Sequence, residues 1–111
     1  MTSRSNRPFP GVERRTSQTA QATLVTYSFA PGAGFPRHAH PEEQITVVLC
    51  GQAEFEVDDT TREICAGQLV VVPGSVPHAL KAGPDGARVL AVIVPRRGDP
   101  DAYTLSHAIR R

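Results

Sequence analysis

The sequence predicts an all-β domain, a sandwich or a jelly roll, on the strength of three observations. The chain has 111 residues, which is enough for one domain with a single core. It contains nine glycines and ten prolines, and many of them act as turn formers between short segments. Those segments are rich in β-branched residues. Short strands separated by closely spaced turns favour a sandwich or jelly roll over a helical bundle.

Nine segments are candidate strands, and turn signals separate almost all of them. The clearest turn signals are residues 31–34, Gly51, residues 58–59 and residues 83–86. Residues 70–72 and 92–94 are apolar on both faces, so we expect the core or a subunit interface to cover both sides. The candidate strands are residues 12–19, 22–30, 35–40, 44–50, 53–57, 61–65, 69–72, 78–82 and 88–94.

The ends of the chain differ in composition from its centre. Residues 1–11 are polar and contain proline, which predicts a flexible N-terminal arm or an arm that pairs with a partner chain. Residues 12–97 form the predicted β-barrel domain, and residues 98–111 form a C-terminal tail. The two-sided apolar strands, together with the arm, fit a homodimer.

The charge balance argues against two classes of partner. A formal net charge of +1 predicts no strong attraction to nucleic acid or to an anionic membrane. No apolar region follows Met1 and no stretch approaches membrane-spanning length, so we expect a cytoplasmic protein. The arginines cluster near the two ends, where we expect them to be solvated: Arg4, Arg7, Arg14, Arg15, Arg96, Arg97, Arg110 and Arg111.

Cys50 and Cys65 are the only cysteines and lie in candidate strands. We expect buried, reduced thiols, as is usual for cysteines in a cytoplasmic protein. A hairpin centred on residues 58–61 would place Cys65 opposite Glu54 rather than Cys50, which argues against a disulfide between the two cysteines.

Three of the four histidines form a pattern typical of metal ligands. His38 and His40 are two residues apart, so in an extended strand both imidazoles point to the same face. Gln44 follows four residues later, and His78 lies much further along the chain. Three imidazoles and one amide oxygen make a neutral shell, which suits one divalent transition metal ion (Zn, Ni, Mn, Fe or Cu) and leaves positions open for substrate.

The spacing around the first ligands resembles the first motif of the cupin family. That motif reads G-x5-H-x-H-x3,4-E-x6-G, and Gly32, His38, His40 and Gly51 match it. Gln44 stands at the position of the usual Glu.

The second cupin motif reads G-x5-P-x-G-x-x-H-x3-N, and Gly67, Pro73 and His78 match it. Ser75 and Ala82 replace its inner Gly and its Asn. The two motifs span residues 32–82, roughly half of the chain. The resemblance therefore implies a cupin jelly-roll barrel with a metal site inside it, at which a small-molecule substrate binds.

Gln44 brings no negative charge, so a divalent ion in this shell would keep its full charge and act as a stronger Lewis acid. A His-His-Gln-His site of this kind resembles small cupins of the KdgF type, which convert unsaturated uronates to open-chain ketouronates. That group has an Asp and an aromatic residue at the positions of Ala91 and Ile93 and an Arg at the position of Arg97. Only the Arg is retained. Glu43, with its neighbour Glu42, and Arg97 are the further candidates for catalytic residues.

Three functions remain open from the sequence. The first is a metal-dependent enzyme that uses Lewis-acid chemistry on a small oxygenated substrate, as an isomerase, lyase or polyketide-type cyclase. The second is a dioxygenase that uses Fe or another redox metal, which three neutral imidazoles also tolerate. The third is a non-enzymatic binding or sensor module. For the enzyme, Val48, Phe55, Ala91 and Ile93 are candidates for an apolar lining.

Overall fold

The computed structural model describes residues 3–98 and 104–105, and all regular structure in these residues is β-strand. The predicted all-β jelly-roll fold is confirmed. No helix among the described residues is long and apolar enough to cross a membrane. The strands are β1 (Ser3–Phe9), β2 (Val12–Gln18), β3 (Thr23–Phe29), β4 (Gly34–Ala39), β5 (Glu43–Val57), β6 (Thr60–Cys65), β7 (Leu69–Val72), β8 (His78–Val94) and β9 (Thr104–Leu105).

Two long strands, β5 and β8, pair with each other in antiparallel fashion and take part in both layers of the barrel. The β2–β3 layer has the order β1-β2-β3-β8-β5-β7 and uses the second part of β8 with the first part of β5. The β4–β6 layer has the order β9-β4-β8-β5-β6 and uses the remaining parts. The barrel interior lies between these two layers.

The long strands pass from one layer to the other at a corner that requires glycine. Gly51 of β5 and Gly86 of β8 have φ angles of 77° and 78°. A Cβ on Gly51 would lie 2.2 Å from the carbonyl oxygen of Gly86. The register of β5 against β8 shifts on both sides of Gly51, so bulges bend the strand here.

This corner corrects the predicted boundaries of four strands. The sequence predicted breaks at Gly51 and at residues 83–86, whereas hydrogen-bonded strand continues through both segments. Glycine can end a strand, but it can equally allow a strand to bend while its ladder continues.

The two ends of the chain join the barrel at opposite layers. Residues 3–9 pair with β2 of the same chain, and residues 104–105 pair with His38 and Ala39 of β4. The rest of the predicted tail lies outside the described residues. The domain boundaries at residues 11 and 97 remain predictions.

The cysteines do not match the expectation of burial, because both are exposed and free. The β5–β6 hairpin turns at residues 58–59, with Val57 opposite Thr60. Cys65 therefore pairs with Gln52. The predicted hairpin, centred on residues 58–61, would have paired it with Glu54. Asp58 makes the tight turn possible with a φ of 55°, a conformation that Asp tolerates better than most residues.

The inner faces of the two layers form the core. The β2–β3 layer contributes Val12, Val25, Val48 and Val89, each at most 1% exposed. The β4–β6 layer contributes Phe35, Phe55 and Leu80. Successive side chains of a strand point to opposite faces, so every second residue of each strand lies inside the barrel. The same alternation determines which polar side chains enter the barrel.

Candidate metal centre

Four side chains predicted from the motifs come together inside the barrel. His38 on β4 lies opposite His78, the first residue of β8, and His40 follows directly after β4. Gln44 projects inward from the start of β5 in the facing layer, since its neighbour Glu43 is exposed. Each of the four side chains is less than one tenth exposed.

The three imidazoles are close enough to share one ion. One ring nitrogen from each of His38, His40 and His78 lies within 4.8 Å of the others. The ring centroids are 4.2 Å apart for His38 and His78, and 4.9 Å apart for His40 and His78. Two nitrogens bound to one transition metal at about 2.1 Å lie at most about 4.2 Å apart, so small shifts of the rings would bring all three nitrogens onto one ion.

Backbone carbonyl groups fix the tautomer of each ring. Nδ1 of His38 lies 2.8 Å from the carbonyl oxygen of Pro36, and Nδ1 of His78 lies 2.9 Å from that of Val76. Nδ1 of His40 lies 3.1 Å from the carbonyl oxygen of Glu42. Because a carbonyl oxygen only accepts, each Nδ1 must carry the proton, and each Nε2 keeps a lone pair for a ligand.

One contact at the centre brings two acceptors face to face. Nε2 of His40 lies 3.0 Å from Oε1 of Gln44. The amide NH2 of Gln44 donates to Oγ1 of Thr46 over 2.8 Å, which directs the amide oxygen toward His40. Two lone pairs at this distance repel each other unless a cation lies between them, and about 3.0 Å is the spacing of adjacent ligands on one metal ion.

His78 supplies a second sign of an absent ligand. Its Nε2 is buried and has no hydrogen-bond partner among the described residues. A buried nitrogen without a partner costs free energy, which a bound cation would offset. The donor set of three imidazoles and one amide oxygen therefore fits a divalent transition metal.

Burial keeps the imidazoles in their neutral form. Burial, together with the nearby His78, lowers the pKa of His38 to about 3. Burial also lowers the pKa of His78 to about 4. Burial lowers the pKa of His40 as well, although a hydrogen bond that the protonated ring would donate to Gln44 opposes the shift. Neutral imidazole is the form that binds a metal, so the centre is ready for an ion at neutral pH.

Two charged side chains border the centre beside His40. Nε of Arg97 lies 3.3 Å from Oε1 of Glu42, and the same oxygen lies 3.5 Å from Nδ1 of His40. Arg97 is only 8% exposed, so the expectation that it is solvated is wrong for this residue. The structure brings Arg97 and Glu42 to the centre, whereas the candidate Glu43 is exposed.

A cavity with an aromatic wall adjoins the histidines. Its enclosed volume is small, about 20 Å³, and the cavity is partly open to solvent. Of the predicted apolar lining, Phe55 contacts this cavity, while Val48, Ala91 and Ile93 are buried in the core beside it. The lining consists of Tyr27, Phe29, Phe35, His38, Gln44, Thr46, Phe55, His78, Ala79, Leu80 and Val89.

Sequence reasoning missed Tyr27 and Thr46 because it tracked only the motif positions. Both residues line the cavity, and Thr46 orients Gln44. Because residues i and i+2 of a strand lie on the same face, the position of Gln44 would have predicted that Thr46 also points into the barrel. The register that places Tyr27 of β3 opposite Val89 of β8 has no signal in the sequence.

The family model that describes a cupin domain matches residues 25–93. Among solved structures, KdgF from Halomonas sp. superposes with a TM-score of 0.79 and 28% identity over 86% of this chain and 89% of that chain.

Two curated proteins match over shorter shares of their length. The dimethylsulfoniopropionate lyase DddW of Ruegeria pomeroyi is 33% identical over 60 residues, which are 54% of this chain. An H2HPP isomerase of Bacillus subtilis is 27% identical over 95 residues, which are 85% of this chain. The matched segment spans 40% of the length of each of these relatives.

Proposed function

The chain belongs to the cupin family, and from this premise we propose that it is a metal-dependent enzyme that acts on a small oxygenated substrate. The observation that carries the proposal is the contact of two acceptors, Nε2 of His40 and Oε1 of Gln44, at 3.0 Å. The buried, unpartnered Nε2 of His78 supports the same proposal, because a bound cation would give it a partner.

His38, His40, Gln44 and His78 would hold one divalent ion, which is Zn, Ni, Mn, Fe or Cu in this proposal. A bound ion of this kind supplies Lewis acidity, which stabilises negative charge that develops on a substrate oxygen. The carbonyl groups of Pro36, Val76 and Glu42 hold the three imidazoles in the ligand tautomer. Thr46 holds the amide oxygen of Gln44 toward the same point.

The charged pair beside His40 gives the site a proton carrier and an anchor. The carboxylate of Glu42 lies next to Arg97 and can accept a proton from an activated carbon or hydroxyl group of the substrate. The guanidinium of Arg97 can bind an anionic oxygen through charge-assisted hydrogen bonds. Substrate binding is thereby directed toward compounds that carry a carboxylate or an enolate.

The aromatic wall favours a flat substrate. The ring centroids of Tyr27 and Phe29 lie 5.5 Å apart and stack, while Phe35 meets Tyr27 edge to face at 5.6 Å. Planar conjugated groups pack well against such surfaces. Ala91 and Ile93 are at most 3% exposed and provide neither an acid nor an aromatic ring, so we propose an unsaturated carbonyl compound rather than a uronate.

The class of reaction proposed is isomerisation, elimination or ring closure. Two relatives are named an isomerase and a lyase, and the match covers 40% of the length of each. Neither reaction requires an oxidant. A neutral ligand set that leaves the full charge on the ion favours this class over oxygen chemistry.

Turnover of a small substrate panel tests the proposal. The metal-free protein is reloaded separately with each of the five ions and incubated with enols, unsaturated uronates and flavonoids. We expect conversion that stops on chelation and returns on reloading, without consumption of oxygen. Metal-dependent oxygen uptake would instead indicate a dioxygenase. Saturable binding without conversion of any compound would indicate a binding module.

We also propose that the protein is a homodimer that joins through the outer side of the β2–β3 layer. The exposed large hydrophobic residues of the described chain all lie there: Leu49, Leu69, Val71 and Val94. The half-buried Ile45 pairs with Val71 on one side and with Val92 on the other, which makes the apolar surface continuous across β7, β5 and β8.

A second copy is the occupant that suits this surface. Homodimer interfaces typically have an aliphatic centre without charged side chains. The residues around this centre can extend the contact toward the roughly 800 Å² of surface that each partner buries in a stable complex. In light scattering, we expect the wild type and Thr61→Lys on the edge strand of the other layer to be dimers. Val71→Lys should be a monomer. A monomeric wild type at micromolar concentration would refute the dimer.

The cytoplasmic location expected from the sequence is part of this proposal. Two exposed, free thiols are compatible with a reducing compartment. Fractionation of cells that express the chain, with thiol alkylation before lysis, would test it. Recovery outside the cytoplasmic fraction would contradict it.

A further inference from the structure

The segment after β8 is fastened to the β2–β3 hairpin by a closed ring of three hydrogen bonds. The backbone N–H of Arg97 donates to Oγ1 of Thr23 over 2.9 Å. The hydroxyl group of Thr23 donates to Oε1 of Gln18. The side-chain amide of Gln18 then donates to the carbonyl oxygen of Arg97 over 2.9 Å.

This ring binds both backbone polar groups of a single residue. Thr23 is 0% exposed, and its hydroxyl group serves as donor and acceptor at once. The amide of Gln18 likewise uses its oxygen for Thr23 and its nitrogen for Arg97. A preceding contact, from the N–H of Arg96 to the carbonyl oxygen of Gln21, aligns the segment with the same hairpin.

The restrained backbone carries the guanidinium of Arg97 to the candidate metal centre. Its Nε lies 3.3 Å from Glu42, whose carboxylate borders His40. Arg97 is 8% exposed, so water screens its charge only weakly beside the ligands.

We propose that Gln18 and Thr23 are positioning residues that hold Arg97 at the metal centre. The inference rests on the proposed function in one respect, namely that Arg97 acts on the bound ion and on an anionic substrate there. Without the ring, the segment after Val94 would keep the contacts of Arg96 to the carbonyl oxygens of Gln21 and Thr19, and the long Arg97 side chain would sample more than one position.

Amide hydrogen exchange tests the ring without any metal. We expect the N–H of Arg97 to be strongly protected in the wild type. Thr23→Val has nearly the same shape but lacks the hydroxyl group, so exchange at Arg97 should be at least tenfold faster while the amide of Val25 stays protected. Thr16→Val, a change at an equally buried threonine on the neighbouring strand, should leave Arg97 protected.

A double-mutant cycle on Co2+ affinity tests positioning. Arg97→Met removes a buried positive charge beside the ligands, so we expect Co2+ to bind about tenfold more tightly. Thr23→Val should shift the affinity about threefold in the same direction, and Thr23→Ser should restore the wild-type value. In the Arg97→Met background, Thr23→Val should have no further effect, because the group that it positions is gone.

The outcomes separate this inference from the proposed function. If the wild type binds no Co2+, the proposed metal centre fails, while exchange at Arg97 still tests the ring. Rapid exchange of the Arg97 amide in the wild type would overturn the ring. Equal effects of Thr23→Val with and without Arg97 would overturn positioning and leave Thr23 with a structural role only.

Discussion

The two layers of the barrel contribute to the candidate metal centre in different ways. The β4–β6 layer, with the residue after β4, supplies three imidazoles, each held by a carbonyl group two residues away in sequence. The β2–β3 layer supplies one neutral amide and its partner Thr46. It also supplies the hairpin that holds Arg97 from 74 and 79 positions away.

The difference separates local from long-range support. A histidine whose tautomer is fixed by a carbonyl group two residues away can serve as a ligand in any barrel that brings the two motifs together. The orientation of Arg97 depends on contacts between distant parts of the chain, which form only when the β2–β3 layer is complete. In the proposed metal centre, the β4–β6 layer would supply three ligands through local contacts, and the β2–β3 layer would supply the amide ligand and the support of Arg97.

The largest effect is expected where the two layers meet. Gly51→Ala places a Cβ 2.2 Å from a backbone oxygen at a φ of 77°, so we expect a loss of at least about 4 kcal/mol in the free energy of unfolding. Gly67→Ala is the matched control, since its φ is 88° but nothing lies within 4 Å of the added atom. It should lose about 1 kcal/mol. Urea denaturation would measure both, and equal losses would show that the corner does not join the layers.

The next effect concerns the histidine layer and pH. In the unfolded chain the histidines take up protons near pH 6.5, whereas in the folded metal-free protein His38 and His78 stay neutral down to pKa values of about 3 and about 4. Their stabilising contribution is therefore complete above pH 6.5 and is lost as the pH falls. Between pH 7 and pH 5 we expect the free energy of unfolding to drop by about 4 kcal/mol, about half of it from each histidine.

Urea denaturation of the metal-free protein at several pH values would measure this drop. His78→Asn should show a smaller drop because it removes one of the two groups. Unfolding free energies that stay constant over this range would contradict the burial of neutral imidazoles.

Removal of one ligand tests the histidine layer directly. His78→Ala deletes the imidazole whose Nε2 is buried without a hydrogen-bond partner, so we expect Zn2+ affinity to fall at least about a hundredfold, or about 2.7 kcal/mol. Isothermal titration calorimetry would measure the change. His107→Ala, at the histidine outside both motifs, should bind Zn2+ as the wild type does. A similar loss in both variants would remove the basis for the motif assignment.

The smallest effect is expected from the partner of Gln44. Thr46→Val removes the acceptor of the amide NH2, so Gln44 can turn its nitrogen toward His40, and Zn2+ affinity should fall about tenfold. Thr26→Val, on the outer side of β3, is the control and should have no effect. Unchanged affinity in Thr46→Val would show that the β2–β3 layer contributes no oriented ligand.

The fold and the convergence of the four motif residues could be predicted from the sequence because both depend on spacing. Residues i and i+2 share a face in any strand, and the two motifs place His38, His40 and His78 on strands that meet in a jelly roll. The inward position of Gln44 could also be predicted, because Gln44 stands at the position of the usual Glu in the first motif.

The surroundings of the centre could not be predicted because they depend on register and on three-dimensional contacts. Arg14 and Arg97 lie near the ends of the sequence, yet they are 4% and 8% exposed. The hairpin turn at residues 58–59 moves the pairing partner of Cys65 by two residues from the one expected. Glycines at 51 and 86 read as turns, although they are bends within continuous strands.

Titration of the metal-free protein with Co2+, followed in the visible spectrum, tests the central claim most directly. We expect one saturable site with the weak d–d bands of nitrogen and oxygen ligands, and loss of those bands in His78→Ala. Absence of saturable binding at micromolar Co2+, or an intense thiolate-to-cobalt band from Cys50 or Cys65, would contradict a centre built from three histidines and Gln44.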